Sequence, residues 1–231
     1  MAGSRHAYLD LVTARAPEPV RAWLERRLES LGESDFALAY SGAGRRLGSS
    51  PITLTDEEAR RLAAAGLPAP VGWPLSAVGR AALLCLACDG LDRDGRRRLT
   101  ESVFRTGDND ERAALLKSLV LLPEPEAYVE LAIDACRSHV QSIFEAIACE
   151  NPYPLRCFPE HNFNQLVLKA FFTGVAVARI EGLAARRSPE LTRMALAYAS
   201  ERRAAGRSVP ADLDFVTGGS VTGGSVTGLE N

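Results

Sequence analysis

The chain has 231 residues, 46% hydrophobic and 24% charged, with a formal net charge of −2. That length supports one sizeable domain, or two small ones, with a real hydrophobic core. The slightly acidic balance and the 6% aromatic content argue against a nucleic-acid binder or a base-stacking platform. No run of about 18 apolar residues occurs, so no membrane span is predicted. The opening MAGSRHAYLDLVTARAP lacks an apolar leader core, and the five cysteines lack disulfide-framework spacing. A reduced, cytoplasmic protein is therefore expected.

Helix punctuation recurs along the chain. PEPVRAWLERRLESL (residues 17–31) repeats apolar residues at helical spacing and stops at Gly32. Residues 33–54, with SGAGRRLGSS inside them, read as an irregular loop. Thr55-Asp-Glu-Glu58 is a capping box opening a helix that closes at Gly66. Residues 75–88 are apolar almost all round, which predicts burial on several sides. A helix over about 93–105 follows, and Asp108 caps another that runs towards Pro123. Residues 124–149 read as helical with a break near Ser138, stopped by Asn151-Pro-Tyr-Pro154. Residues 162–179 read as the most apolar helix, and Ser188-Pro189 starts one that ends near Gly206.

No segment alternates apolar and polar residues for long, so no sheet is predicted. The expected fold is all-α, with antiparallel helices forming a bundle or a short HEAT/TPR-like stack of helix pairs. The organisation read from the sequence is an N-terminal helical segment with a loop over 1–70 and a helical core over 71–213. A Gly/Ser/Thr-rich flexible tail or appended linker over 214–231 completes it, on the repeat in TGGSVTGGSVTGLEN.

Few motifs carry chemistry. Cys85-Leu-Ala-Cys88 lies in an apolar helical stretch rather than at a strand-to-helix turn, so core packing is expected. Cys136, His139, Cys149, Cys157 and His161 include Cys-x-x-His and Cys-x-x-x-His spacings that zinc accepts. A whole helix separates the two halves, so no metal and no cofactor is predicted. Gly-x-Ser-x-Gly, P-loop and dinucleotide fingerprints are absent.

The segment 162–179 carries a polar stripe of Asn162, Gln165, Lys169 and Thr173 on an otherwise apolar helix. If enclosed, Lys169 needs a carboxylate (Glu145, Glu150 or Glu160) or an anionic ligand. The plainer alternative makes Asn162 and Gln165 a capping box, with Lys169 reaching water. Arg80 and Arg137 sit in apolar stretches, and Arg179, Arg186 and Arg187 follow the stripe. Convergent arginines suit carboxylate or phosphate recognition, and structural ion pairs would use the same residues.

FEAIACENPYPLRCFPEHNFNQLVLKAFFTG, and then RIEGLAARRSPELTRMALAYASERRAAGRSVPADL, resemble the EboA-domain family. The likeness is strongest over residues 137–213 and weaker back to Trp73 and Arg80. Phe163 and Arg203 stand where tryptophan is usual, and the ending reads Asp212-Leu-Asp214. The resemblance implies a role in bacterial gene clusters that make or move a secondary metabolite. Neighbouring products there are similar to a prenyltransferase, a sugar-phosphate cyclase, a TatD-like hydrolase and a sugar isomerase. The matching positions are Asn151, Tyr153, Asn164, Gln165, Lys169, Arg179, Arg187, Glu201, Arg202 and Arg207.

The favoured expectation is a non-catalytic helical protein that binds an anionic or amphipathic metabolite, or a pathway enzyme. Its ligand residues would be Asn151, Tyr153, Asn164, Gln165, Lys169, Arg137, Arg179 and Arg187. The alternative is a small biosynthetic enzyme catalysing a cyclisation or isomerisation, with His161, Glu160 and Glu150 as acid/base groups whose pKa values enclosure would shift. A structural subunit presenting a helix face to a partner is the third.

Overall fold

Capping chemistry sets several helix starts in this chain. Thr55 Oγ1 accepts from Glu58 N at 3.2 Å while Glu58 Oε2 accepts from Thr55 N at 2.9 Å. Asp108 and Glu111 make the same reciprocal pair at 2.8 and 3.1 Å. Ser188 Oγ accepts from Leu191 N at 3.1 Å, with Pro189 in the first helical position. Each such cap contributes about 1 kcal/mol.

The structure is a computed structural model that describes residues 2–28 and 33–218. The expected stop at Gly32 and most of the Gly/Ser/Thr repeat lie outside the described residues. Those described are all-α, with one isolated bridge between Pro51 and Pro74. The chain divides into two compact units, Met1–Ile147 and Ala148–Asn231. The first holds α1 (Ala2–Thr13), α2 (Glu18–Leu28), α3 (Glu33–Leu47), α4 (Asp56–Ala64), α5 (Leu75–Asp89), α6 (Arg93–Thr106), α7 (Asn109–Ser118) and α8 (Val129–Cys136). At its end comes α9 (Gln141–Ala148). The second holds α10 (Tyr153–Cys157), α11 (Glu160–Thr173), α12 (Pro189–Ala204) and α13 (Asp214–Thr217).

Within the first unit α5 is the hub. It packs against α1, α3 and α7, and twelve of its fifteen residues are buried. Cys85 and Cys88 lie among them and form no disulfide. A helix surrounded in this way must be apolar all round. Its polar exceptions are Ser76 and the charged Arg80, the latter 4% exposed. The Arg80 side chain is well occupied. Its Nε donates to Tyr40 O at 3.1 Å, and its guanidinium lies 3.8 Å from the Glu111 carboxylate. The Tyr40 hydroxyl in turn donates to Glu111 O at 2.9 Å, and burial pushes its pKa up.

Two sequence expectations fail here for physical reasons. Residues 33–47 are helical, not a loop. The glycines that suggest a loop make room instead: a Cβ on Gly44 would lie 2.8 Å from Arg80 Nη2. The second failure concerns the helix expected over 162–179. It starts at Glu160, behind Pro159, and ends at Thr173, where Gly174 takes a left-handed φ of 72°. Asn162 is therefore inside the helix and caps nothing at its start.

The second unit begins with a tight turn. Glu150 has a left-handed φ of 46°, a conformation uncommon for a residue with a Cβ. Two links to Arg179 hold it. Glu150 N donates to Arg179 O at 2.9 Å, and the Arg179 guanidinium grips the Glu150 carboxylate at 2.8 and 3.0 Å. Asn151 Oδ1 then accepts from Tyr153 N at 2.9 Å, an Asx turn that aims the chain into α10. Arg186 closes α10 from the other side. It donates to Pro154 O, Leu155 O and Phe158 O at 3.2, 3.0 and 2.9 Å, and lies 4.6 Å from the centre of the Phe163 ring.

Candidate functional site

The polar stripe on α11 is not enclosed. Gln165 and Thr173 are exposed, Asn162 and Lys169 are half-buried, and Phe172 beside them is 68% exposed. Lys169 is thus only partly covered, and the opposite side of the helix, with Phe163, Leu166, Val167, Ala170 and Phe171, supplies the core contacts. Asn164 is the buried polar residue of this helix, at 2% exposure, and its Oδ1 has no hydrogen-bond partner among the described residues.

Other expected site residues are engaged in the fold. Asn151 and Tyr153 are buried, the first in its turn and the second edge-on to Phe158 at 6.1 Å. Arg179 is committed to Glu150. Arg80 is held by Tyr40 and Glu111, and exposed Arg137 pairs with Asp134 at 3.8 Å in the first unit. Glu150, Glu160 and His161 are all exposed. Among the described residues no three His, Cys, Asp or Glu side chains come together as metal ligands.

A concave surface forms elsewhere in the second unit, at the start of α12. α13 returns against that helix, where Thr192 Oγ1 donates to Val216 O at 3.4 Å. Between them lies an open cleft of about 580 Å³. Thr192, Leu196, Val216 and Thr217 line its floor, and Arg187 and Arg193 stand at its rim. Val216 and Thr217 fall inside the stretch expected to be tail, yet both are buried. The Arg187 guanidinium lies over the turn at Gly218, with Nη1 3.6 Å from where a Cβ there would sit. Arg187 is exposed and makes no hydrogen bond or ion pair among the described residues.

Arg193 is occupied. It grips the exposed Glu190 carboxylate through Nε and Nη2 at 2.8 and 2.7 Å. That bond, and then the nearby charges of Arg193 and His161, hold the Glu190 carboxyl below its ordinary range. His161, from the start of α11, therefore lies near the start of α12. Of the expected residues the cleft takes in Arg187, and His161 stands outside its lining. The cleft adds Thr192, Arg193 and Leu196, which no motif marks, although the Ser188-Pro189 start signal stands directly beside them.

A smaller recess, about 230 Å³, lies between α1 and α4, lined by Leu11, Leu62, Glu58 and Arg61 among others. Two of its three charged residues are paired, Glu58 with Arg15 at 2.8 Å and Arg61 with Glu57 at 3.3 Å, and Asp10 is the third. The α12 cleft falls within the 300–1,000 Å³ range of small-molecule sites and the recess falls below it.

No helix among the described residues is long and apolar enough to cross a membrane. No curated protein and no solved structure matches the chain. The family model described as "Metabolite traffic protein EboA" matches residues 8–217, taking in both units and the α13 turn that closes the cleft. The chain belongs to the EboA family.

Proposed function

We propose that this protein binds a small amphipathic metabolite in the α12–α13 cleft, as a carrier or presenting protein without chemistry of its own. The observation that carries this reading is the pairing of an apolar floor (Leu196, Val216) with an arginine at the rim that no described residue neutralises. The family description, metabolite traffic, supports it. A catalytic reading through His161, Glu160 and Glu150 has less support, since all three face water and Glu150 is held by Arg179. Pathway enzymes remain the natural partners for a protein that hands a metabolite on.

The test is native mass spectrometry of protein isolated from its own host, beside a Leu196→Trp variant that fills the cleft from its floor. The expected result is a small-molecule mass retained by the wild type and lost in the variant. Leu196 is 40% exposed, so the larger ring is accommodated without disturbing the core. A retained mass that survives in Leu196→Trp would overturn the cleft assignment, and a wild type that never carries a small molecule would overturn the carrier reading.

A further inference from the structure

Resting on the cleft as the ligand site, we propose that it selects a phosphorylated apolar molecule by exchange. The phosphate displaces the Glu190 carboxylate from Arg193, and Arg187 completes the clamp.

Several features of the cleft lead there. The helix start itself has little to offer an anion. Pro189 has no N–H and the Leu191 N–H is already taken by Ser188, which leaves the Glu190 N–H as the one donor of the first turn. A single N–H cannot satisfy a multiply charged oxyanion, so recognition falls mainly to side chains, and the rim supplies two guanidinium forks. One fork satisfies a two-oxygen carboxylate. Two forks suit a group with three or more acceptor oxygens, which a phosphate monoester provides.

The resident counter-ion is poised to leave. Glu190 and Arg193 are three residues apart on the surface, with side chains 53% and 68% exposed. Exposed pairs of this kind are weak. Glu190 holds the place of an incoming anion on Arg193, while Arg187 has no such occupant among the described residues. The apolar floor then takes the body of the molecule and separates it from inorganic phosphate.

The probe is decyl phosphate below its micellar concentration, with decanol and inorganic phosphate alongside, titrated calorimetrically into the full chain. Wild type should bind decyl phosphate more tightly than either comparison compound. Glu190→Gln should tighten decyl phosphate by about three- to fivefold, because an exposed ion pair no longer competes. Arg187→Gln and Arg193→Gln should each weaken it by about tenfold or more and leave decanol unchanged. All three substitutions are at exposed positions, and matching circular dichroism spectra confirm folding. Weaker or unchanged binding in Glu190→Gln would overturn the exchange, as would insensitivity to Arg187→Gln. Equal affinity for inorganic phosphate would overturn the selection of an apolar body. Leu196→Trp separates the two levels. If it leaves decyl phosphate binding intact, the cleft reading fails. If it abolishes binding while the charge variants do nothing, the cleft stands and the exchange fails.

Discussion

Gly42 and Gly44, two residues apart on α3, should respond to the same substitution with opposite signs. Replacing glycine by alanine inside a helix gains about 0.5–1 kcal/mol from backbone entropy alone. At Gly42 the new Cβ would meet only Trp23 Cζ2, at 3.4 Å, a distance the ring tolerates with a small adjustment. Gly42→Ala should therefore stabilise the protein by up to about 1 kcal/mol. At Gly44 the Cβ would lie 2.8 Å from Arg80 Nη2. An arginine tip normally swings away, but this one is buried and held by Tyr40 O and Glu111. Moving it costs overpacking strain of about 1–3 kcal/mol and weakens contacts to a buried charge. The cost exceeds the propensity gain, so Gly44→Ala should destabilise by about 1–2 kcal/mol net. Urea unfolding followed by far-UV circular dichroism measures both, read as a change in midpoint at constant slope. If Gly44→Ala proved as stabilising as Gly42→Ala, the claim that α3 carries its glycine to make room for Arg80 would be refuted.

Other outcomes follow from the same reasoning. Arg186→Ala removes donors from three carbonyls around α10. Charge-assisted hydrogen bonds of this kind are worth about 1.5–3 kcal/mol each when fully lost, and water recovers part of that. Amide exchange over residues 153–158 should speed up in both Arg186→Ala and Arg186→Lys, since an ammonium lacks the fork. Full protection in the lysine variant would show that charge alone suffices. In the first unit, the Arg15 guanidinium holds the Glu58 carboxyl down to about 2, with help from the Thr55 N–H. A depressed folded-state pKa stabilises above the ordinary value of 4.5, and that contribution is lost as pH falls from there towards about 2. Water reaches the pair, so its worth is on the order of 1–2 kcal/mol. Arg15→Gln should flatten the decline in stability across that window, and an unchanged acid limb would remove the pair from the account.

Local chemistry was legible wherever it is self-contained. The Thr55–Glu58 capping box, the Asp108 cap and the Ser188-Pro189 start need only neighbours a few residues away, and the structure forms each of them. The helical class follows from the same periodicity. The approximate extent of α5 was legible too, because burial on several sides writes itself into composition. Motif residues were harder to interpret. Asn151 and Tyr153 stand out in the sequence, yet nothing local says that one shapes a turn and the other fills a core.

Tertiary structure decided the rest. SGAGRRL is glycine-rich, and glycine is ordinarily a helix breaker, so composition points to a loop. Only the approach of buried Arg80 from a helix more than thirty residues on explains a helix that keeps glycine there. The cleft has the same origin. Val216-Thr217-Gly218 reads like the Val-Thr-Gly units that follow it, and a repeat without periodicity has no apolar face to announce. Packing against α12 turns that first copy into a helical end and the floor of the cleft. Side chains from residues 187–196 and 216–217 meet because the chain returns on itself, a long-range contact that no local pattern encodes.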